Sequence, residues 1–215
     1  PAGSPETLAE WAAHYAATGL EVFPVDPATK APIGKLAHNG MKSATTDPET
    51  IRQWWTARPD ALIGARIPKD MVVLDIDPRH DGLTTWAALT DGHDLPTTRL
   101  HKSGRNDGGF HIWFQHPGLD RIDAGDGIDV LHHGHRYTIL PPSPHPATGS
   151  PYFWVQSPED SDVAGMPAWL IDALTPPPPA PVAQAATKAP TIASNNALYG
   201  DGPTPAEWYD APWAQ

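Results

Sequence analysis

The chain contains no cysteine among its 215 residues. This absence excludes disulfide bonds, thiolate zinc sites and cysteine nucleophiles, and it fits a reducing compartment. The sequence also has no apolar run of the roughly 20 residues needed to cross a bilayer, and no signal peptide is visible. We therefore expect a cytoplasmic protein with no membrane partner.

Positive charge is scarce as well, since 14 Lys and Arg residues stand against 25 Asp and Glu residues, for a net charge of -11. Proteins that bind nucleic acid without sequence preference usually present a basic surface, and this chain as a whole does not. A local basic strip is still enough for weak binding, because catalytic metal ions cancel part of the acidic charge. Composition alone therefore leaves the function open.

Proline is abundant, with 27 residues, and it is concentrated toward the C-terminal end. Residues 175–181 read TPPPPAP, which is typical of a polyproline spacer. We therefore predict a folded catalytic domain over residues 4–174. A Pro-rich linker and tail over residues 175–215 is expected to lead to a further domain.

The pattern before the spacer mixes helices and strands without strict alternation, which favours an α+β fold. Ser4 followed by Pro5 predicts the start of a first helix, and Thr46 with Glu49 predicts a capping box for a second. Two further helices are predicted over 83–89 and 168–174, and strands over 21–25, 61–67, 71–77, 97–102, 110–114, 128–131, 137–140 and 152–155.

The most informative segment is residues 71–78, MVVLDIDP, in which an apolar strand ends in two aspartates. Side chains alternate along a strand, so Asp75 and Asp77 share a face and lie about 6–7 Å apart at the backbone. Two carboxylates at that separation suit a pair of hard divalent ions, which prefer oxygen ligands. Taken alone, the pattern is equally consistent with two solvated, inert acids at a strand end.

A glycine-rich, locally basic turn lies within residues 101–114 and leads into a strand with an early histidine, His111. Glycines such as Gly109 allow the backbone to approach phosphate oxygens closely, and Lys102 and Arg105 can neutralise phosphate charge. The structural alternative is a polar hairpin whose histidine is satisfied at the start of a strand.

Asp129 stands within an apolar strand segment, where an acid is costly unless it is paired or metal-bound. The segment LPPSPH, residues 140–145, places Ser143 and His145 on a stiff loop after a strand. The histidines in residues 132–135, HHGH, fall between two strands, where a polar turn is expected. Structural zinc requires four arranged ligands, so no zinc is predicted there.

In order and spacing, these segments resemble the bifunctional DNA primase/polymerase (prim-pol) family of the archaeo-eukaryotic primase superfamily, over roughly residues 8–156. That family carries an Asp-x-Asp or Asp-x-Glu strand end, a glycine-rich turn with a strand histidine, a single strand acid and a Pro-Pro-Ser-x-His segment. All four occur here in that order. Some relatives also carry a cysteine-bound zinc stem, which this chain cannot hold. The resemblance implies an RRM-like antiparallel catalytic palm joined to an N-terminal αβ unit.

By this resemblance, Asp75, Asp77 and Asp129 are the catalytic ligands of two Mg²⁺ or Mn²⁺ ions. The residues expected to bind the nucleotide are His111, Arg105, Ser143, His145, Lys30 and Gly109. The implied activity is template-dependent nucleotidyl transfer by a DNA primase and polymerase in plasmid, phage or mobile-element replication. The implied partners are a single-stranded DNA template, a primer, NTPs or dNTPs, and a helicase or DNA-binding domain in the same full-length chain.

Two other classes of function remain open from the sequence. A non-catalytic single-stranded nucleic-acid-binding replication module could use the same sheet, although it has no need of three acids facing a basic turn. A histidine/carboxylate metal-dependent hydrolase or oxygenase could use His111 with Asp75 or Asp129. The primase interpretation requires metal on the acids and triphosphate beside the glycine-rich turn.

Overall fold

The computed structural model describes residues 5–176, and within that range the chain forms two antiparallel sheets with helices packed against them. The predicted cap Ser4 and residues 177–215 of the predicted linker and tail lie outside the described residues. In chain order the elements are α1 (Leu8–Ala17), β1 (Val22–Val25), α2 (Pro48–Ala57), β2 (Leu62–Ala65), β3 (Met71–Ile76), α3 (Gly82–Thr90), β4 (Leu100–Lys102), β5 (Phe110–Gln115), β6 (Ile128–His132), β7 (Thr138–Ile139), β8 (Phe153–Gln156) and α4 (Ala168–Leu174).

The two sheets differ in size and in how the chain builds them. The small sheet has the strand order β1–β2–β7, and the large sheet has the order β6–β3–β5–β4–β8. Every pairing within them is antiparallel, which confirms the predicted α+β class. The small sheet corresponds to the predicted N-terminal αβ unit, but its third strand, β7, comes from much later in the chain.

Helix α1 begins at Leu8 and not at the start predicted from Ser4 and Pro5. The Thr7 side chain accepts a hydrogen bond from the Glu10 backbone N–H, at 3.2 Å, and the Glu10 carboxylate accepts one from the Thr7 N–H, at 2.9 Å. This reciprocal capping box satisfies two backbone donors at once, so it determines where the helix begins.

Helix α2 begins at Pro48, one residue after the cap Asp47. The Asp47 carboxylate accepts a hydrogen bond from the Thr50 N–H at 2.9 Å, so the predicted box of Thr46 and Glu49 is wrong in its capping residue. Proline at the first helical position has no N–H to leave unsatisfied, which makes the preceding residue the natural cap.

Both faces of the large sheet are buried. On one face, β3, β5 and β6 contribute Val73, Trp113 and Leu131 to a core shared with α1, α2 and the small sheet, and we call these three residues the core row. On the other face, residues such as Leu74 pack with α3 and α4. Burial on both faces explains why β3 is apolar throughout until its C-terminal end. None of the helices in residues 5–176 is both long and apolar enough to cross a membrane.

A glycine crossing fixes the turn that follows β3 against the start of β6. Gly127 has a φ of +72°, and a Cβ added there would lie 2.2 Å from the His80 carbonyl oxygen. A Cβ added at Gly82 would lie 2.3 Å from the Gly127 carbonyl oxygen. Only two glycines allow the segments to pass this closely, and the crossing holds the Asp77 N–H against the Gly127 carbonyl at 2.8 Å.

Gly127→Ala is expected to destabilise the fold by about 3 kcal/mol or more, because backbone strain of about 1–2 kcal/mol adds to a backbone clash. Gly149→Ala is the matched control, since Gly149 has the same φ of +72° but nothing within 4 Å of its added Cβ. Urea denaturation of both variants measures the difference. Equal losses of unfolding free energy would show that the crossing is not tight.

Candidate active site

The register of the large sheet places three of the predicted site residues side by side. Asp75 on β3 pairs with His111 on β5 and with Asp129 on β6. His111 in turn pairs with His101 on β4. Residues directly opposed on antiparallel strands share a face, with Cβ atoms about 4.5–5.5 Å apart. We call Asp129, Asp75, His111 and His101 the polar row.

The polar row continues the face of the core row, because each of its members on β3, β5 and β6 lies two residues from a core-row residue along its own strand. Side chains two residues apart on a strand point the same way. The polar row therefore begins where the shared core ends, at the edge where the large sheet meets the small one.

A cleft of about 190 Å³ opens beside the polar row. Of the nine residues predicted to form the site, six line it, namely Lys30, Asp75, Asp77, Arg105, Gly109 and His111. A second, larger cleft of about 520 Å³ shares Asp77 and Arg79 with the first and contains Asp129 and Arg136. The three acids thus lie where two clefts adjoin.

Basic side chains also line the first cleft, namely Lys30, Arg79 and Arg105, and Arg105 is paired with Asp107 at 3.0 Å. The Lys30 ammonium donates a hydrogen bond to the Tyr152 hydroxyl at 2.8 Å and lies 3.0 Å from Nε2 of His145. Its backbone has a φ of +58°, and its carbonyl accepts a hydrogen bond from the Tyr137 hydroxyl. Burial lowers the pKa of Lys30, and the nearby Arg105 guanidinium lowers it further. Lys30 is therefore a positioned cation close to a second one.

A comparison with models of protein families identifies the group of proteins to which this chain belongs. The model of the N-terminal domain of bifunctional DNA primase/polymerases, called Prim-Pol, matches residues 12–169, a range that runs from α1 into α4 and includes every strand of both sheets. This chain belongs to the prim-pol family. A comparison with curated proteins gives no match. The resemblance of the ordered motifs is thereby confirmed, and it supports a primase/polymerase-type function in DNA replication.

In this prim-pol domain, Asp77 lies at the cap of the short turn after β3. Its carboxylate accepts hydrogen bonds from Nε and Nη2 of Arg79, at 2.9 and 2.5 Å, and lies 3.2 Å from Nδ1 of His80. Burial would raise the pKa of Asp77, but the hydrogen bonds from the side chain and backbone of Arg79 lower it to about 2. Asp77 is therefore held in its anionic form.

The other two acids of the candidate site have different partners. The Asp129 carboxylate lies 3.1 Å from Nη1 of Arg136, and both side chains are about half exposed, at 52% and 53%. The Asp75 carboxylate lies 3.3 Å from Nε2 of His111, which is largely buried. Each acid thus has at least one basic partner: Asp77 has Arg79 and His80, Asp129 has Arg136, and Asp75 has His111.

The acids fit divalent metal ions in donor type. Within residues 5–176, no three His, Cys, Asp or Glu side chains already converge closely enough to hold an ion. However, Mg²⁺ and Mn²⁺ prefer carboxylate oxygens, and the sheet holds Asp75 beside Asp129, with Asp77 two residues farther along. The Asp129–Arg136 pair is about half exposed on both sides, so it contributes little stability and can be displaced, whereas the Asp77–Arg79 pair is held by two hydrogen bonds.

Ser143 and His145 do not line the first cleft. Ser143 is 0% exposed, and its hydroxyl oxygen accepts a hydrogen bond from the Ile63 N–H on β2 at 2.9 Å. His145 is 2% exposed and lies behind Lys30. Burial lowers the pKa of His145 to about 4, and the positive charge of the nearby Lys30 also lowers it. Both residues are buried next to residues that form or hold the cleft, Ser143 against Ile63 and His145 against Lys30. Their direct contact with a nucleotide stays a prediction.

Gly109 lines the cleft, and its small size is needed for a second reason. A Cβ added there would lie 3.0 Å from Cδ of Pro78 and 3.1 Å from the Ile76 carbonyl oxygen. The glycine therefore lets the start of β5 pass the end of β3, which keeps His111 beside Asp75. Its predicted role in approaching phosphate is compatible with this packing role.

Several residues of the site escaped the sequence reasoning. Arg79 follows Asp77 by two residues, so a local signal for their pairing was present. Tyr152 contacts Lys30 from 122 residues away, and Thr138 contacts His111 from 27 residues away. No local sequence pattern predicts such long-range contacts, since they depend on the topology of both sheets.

Ser143→Ala is expected to lower the free energy of unfolding by about 1–3 kcal/mol, because the buried Ile63 N–H loses its acceptor. Ser103→Ala, in the lining of the cleft, is the control and is expected to change stability little. Thermal unfolding and titration with a nucleotide compare the two variants. Weaker nucleotide binding by Ser143→Ala at unchanged stability would instead support direct contact with the triphosphate.

Proposed function

We propose that this domain catalyses template-dependent nucleotidyl transfer, as a DNA primase and DNA polymerase, with Asp75, Asp77 and Asp129 as ligands of two divalent ions. The observation that carries the proposal is the pairing of Asp75 with both Asp129 and His111, beside a cleft that Lys30 and Arg105 also line. Family membership supports the same reaction class. Members of this family generally use divalent metals.

The basic side chains that line the first cleft suit the triphosphate of an incoming nucleotide. Lys30 and Arg105 lie where they can neutralise phosphate oxygens, and His111 adds a third polar contact beside the acids. In phosphoryl transfer, positioning and charge neutralisation supply most of the rate enhancement. Bound Mg²⁺ or Mn²⁺ would lower the pKa of the attacking 3′-hydroxyl and stabilise the leaving pyrophosphate.

The second cleft suits the primer strand. It contains Asp77 and Asp129, so a 3′-hydroxyl placed there lies within reach of the acids, and Arg79 and Arg136 can contact its phosphates. We propose that primer and single-stranded template approach from this side while the nucleotide occupies the first cleft. A role in plasmid, phage or mobile-element replication, with a helicase or DNA-binding domain in the same full-length chain, rests on the family resemblance alone.

The two alternative functions make less use of this arrangement. A non-catalytic nucleic-acid-binding module gains nothing from three adjacent carboxylates, which repel the phosphate backbone. A histidine/carboxylate hydrolase or oxygenase would use His111 as a metal ligand, whereas its Nε2 lies against a carboxylate oxygen and its Nδ1 against a hydroxyl. Nucleotidyl transfer gives a role to the three acids, to His111 and to the basic side chains Lys30 and Arg105.

Asp75→Asn is expected to reduce nucleotide incorporation at least about a hundredfold, because a metal contact that stabilises the transition state is worth several kcal/mol. The fold should persist, since the Asp75 side chain is partly exposed, at 32%, and does not belong to either apolar core. Asp70→Asn, just before the opposite end of the same strand and exposed, is the matched control. Primer extension with Mn²⁺ measures the activity, and calorimetric titration with Mn²⁺ measures metal binding.

If Asp75→Asn extends a primer within a few-fold of the wild type, the catalytic assignment is wrong. If metal binding is lost but the wild-type protein only hydrolyses the nucleotide, without extending the primer, the hydrolase alternative replaces the polymerase. Asp70→Asn is expected to match the wild type in both measurements.

Binding to single-stranded DNA is expected to be weak and to depend steeply on salt, because the net charge of -11 leaves only local cations to meet phosphates. Three contacts give a slope of roughly -2 in log K against log salt, at about 0.7 per phosphate. Arg136→Ala is expected to lower the slope by about 0.7, and Lys69→Ala, in the turn before β3, is expected to leave it unchanged. Fluorescence anisotropy over a salt series tests this, and tight binding insensitive to salt would contradict it.

A further inference from the structure

The polar row continues into the protein interior through groups that the proposed reaction does not use. His101 is 0% exposed and lies behind His111, so it cannot touch a substrate in the cleft. Thr138, on β7 of the small sheet, is 1% exposed and has its hydroxyl between the two histidines. Buried polar groups are costly unless they are hydrogen-bonded, so the direction of each bond here is informative.

The hydrogen bond between Trp113 and His101 has only one possible direction. The indole N–H of Trp113 can only donate, and it donates to Nδ1 of His101 at 3.3 Å. Burial, and then the neighbouring His111, lower the pKa of His101. His101 is therefore a neutral ring, and since its Nδ1 accepts a hydrogen bond, its one proton lies on Nε2.

The second and third bonds follow from the first. The Thr138 hydroxyl oxygen lies 3.2 Å from Nε2 of His101 and 3.1 Å from Nδ1 of His111. The Ile139 backbone also accepts a hydrogen bond from the His101 ring, so it shares this proton with Thr138. With the Thr138 oxygen as one of the two acceptors, its own single proton is directed to His111. Nδ1 of His111 is then an acceptor, and the ring proton of His111 lies on Nε2, facing a carboxylate oxygen of Asp75 at 3.3 Å.

The histidine rings are also fixed in orientation. His101 and His111 stack with centroids 4.5 Å apart and an interplanar angle of 22°. Trp154 packs edge-on against His101 at 4.9 Å, so the buried ring has aromatic neighbours on two sides. Rotation of either ring by half a turn would break two hydrogen bonds inside the protein.

We propose that Trp113, His101 and Thr138 form a positioning relay that fixes His111 as an Nε2–H donor toward the cleft. The relay gives His111 one defined role, which is to donate a hydrogen bond to an anionic oxygen. It also removes His111 from the possible metal ligands, because the only lone pair of its ring faces Thr138. The part of the proposal that concerns substrate rests on the proposed function, in which that anionic oxygen belongs to a nucleotide triphosphate.

The tautomer of His111 can be measured on the free protein by ¹⁵N NMR of its ring nitrogens, at a pH well above about 6.5, the ordinary histidine pKa. The His111 signals are assigned by their loss in His111→Gln. The expected spectrum has Nε2 as the protonated nitrogen and Nδ1 as the unprotonated one. The opposite assignment in the wild-type protein overturns the relay, and this measurement needs no metal, DNA or activity.

Thr138→Val removes the hydroxyl with little change in shape, and it is expected to convert His111 into a mixture of tautomers. Thr138→Ser retains the hydroxyl and is expected to restore the wild-type spectrum. Thr98→Val is the matched control, because Thr98 is a second buried threonine, 3% exposed, whose hydroxyl bonds only to backbone groups. An unchanged His111 spectrum in a folded Thr138→Val protein overturns the relay.

Titration of the same variants with a deoxynucleoside triphosphate and Mg²⁺ separates the relay from the proposed function. Thr138→Val is expected to weaken binding about three- to tenfold, the effect of one hydrogen bond, and Thr138→Ser and Thr98→Val are expected to bind like the wild type. A changed tautomer with unchanged nucleotide affinity would support the relay and overturn the nucleotide role of His111.

Discussion

The antiparallel register of β6, β3 and β5 is the constraint on which the site depends. A shift of one residue in any of these strands would move its polar-row side chain to the opposite face, where α3 and α4 are packed. The core row on one face and apolar side chains such as Leu74 on the other both resist such a shift. The alignment of the acids with His111 is therefore maintained by hydrophobic packing a few residues away, and not by the polar groups themselves.

The acids would repel one another if nothing opposed them, because like charges on directly opposed strand positions are destabilising. Arg79 and Arg136 offset this repulsion from the solvent side, and His111 offsets it from the interior. The Asp129–Arg136 contact is exposed and hence weak, whereas Asp77 accepts two hydrogen bonds from Arg79, and the contact of Asp75 with His111 is continued by bonds that extend into the core. Asp129 is therefore the acid whose side chain can move most easily.

The sequence was sufficient to predict most of the strands and the position of Asp75 and Asp77 at the C-terminal end of β3, because an apolar run that ends in aspartates is a local pattern. It misplaced the start of α1, since Ser4 and Thr7 are both plausible caps within one turn and only Thr7 has Glu10 three residues later. It could not show that Ser143 faces β2, because that orientation depends on a bond to Ile63, 80 residues away. The contact between Tyr152 and Lys30 could not be predicted for the same reason, because the two residues are distant in sequence but adjacent in space.

Strand β7 belongs to the small sheet by its backbone, and the side chain of its residue Thr138 contacts two members of the polar row. Its pairing with β2 holds residues from the two halves of the chain together, and the Thr138 hydroxyl reaches across to two strands of the large sheet. The two sheets therefore cannot open independently without breaking buried bonds, so they form one cooperative folding unit. For this reason the palm has no natural boundary before β3, and a shorter catalytic core obtained by removing the small sheet would lose the strand that orients its histidines.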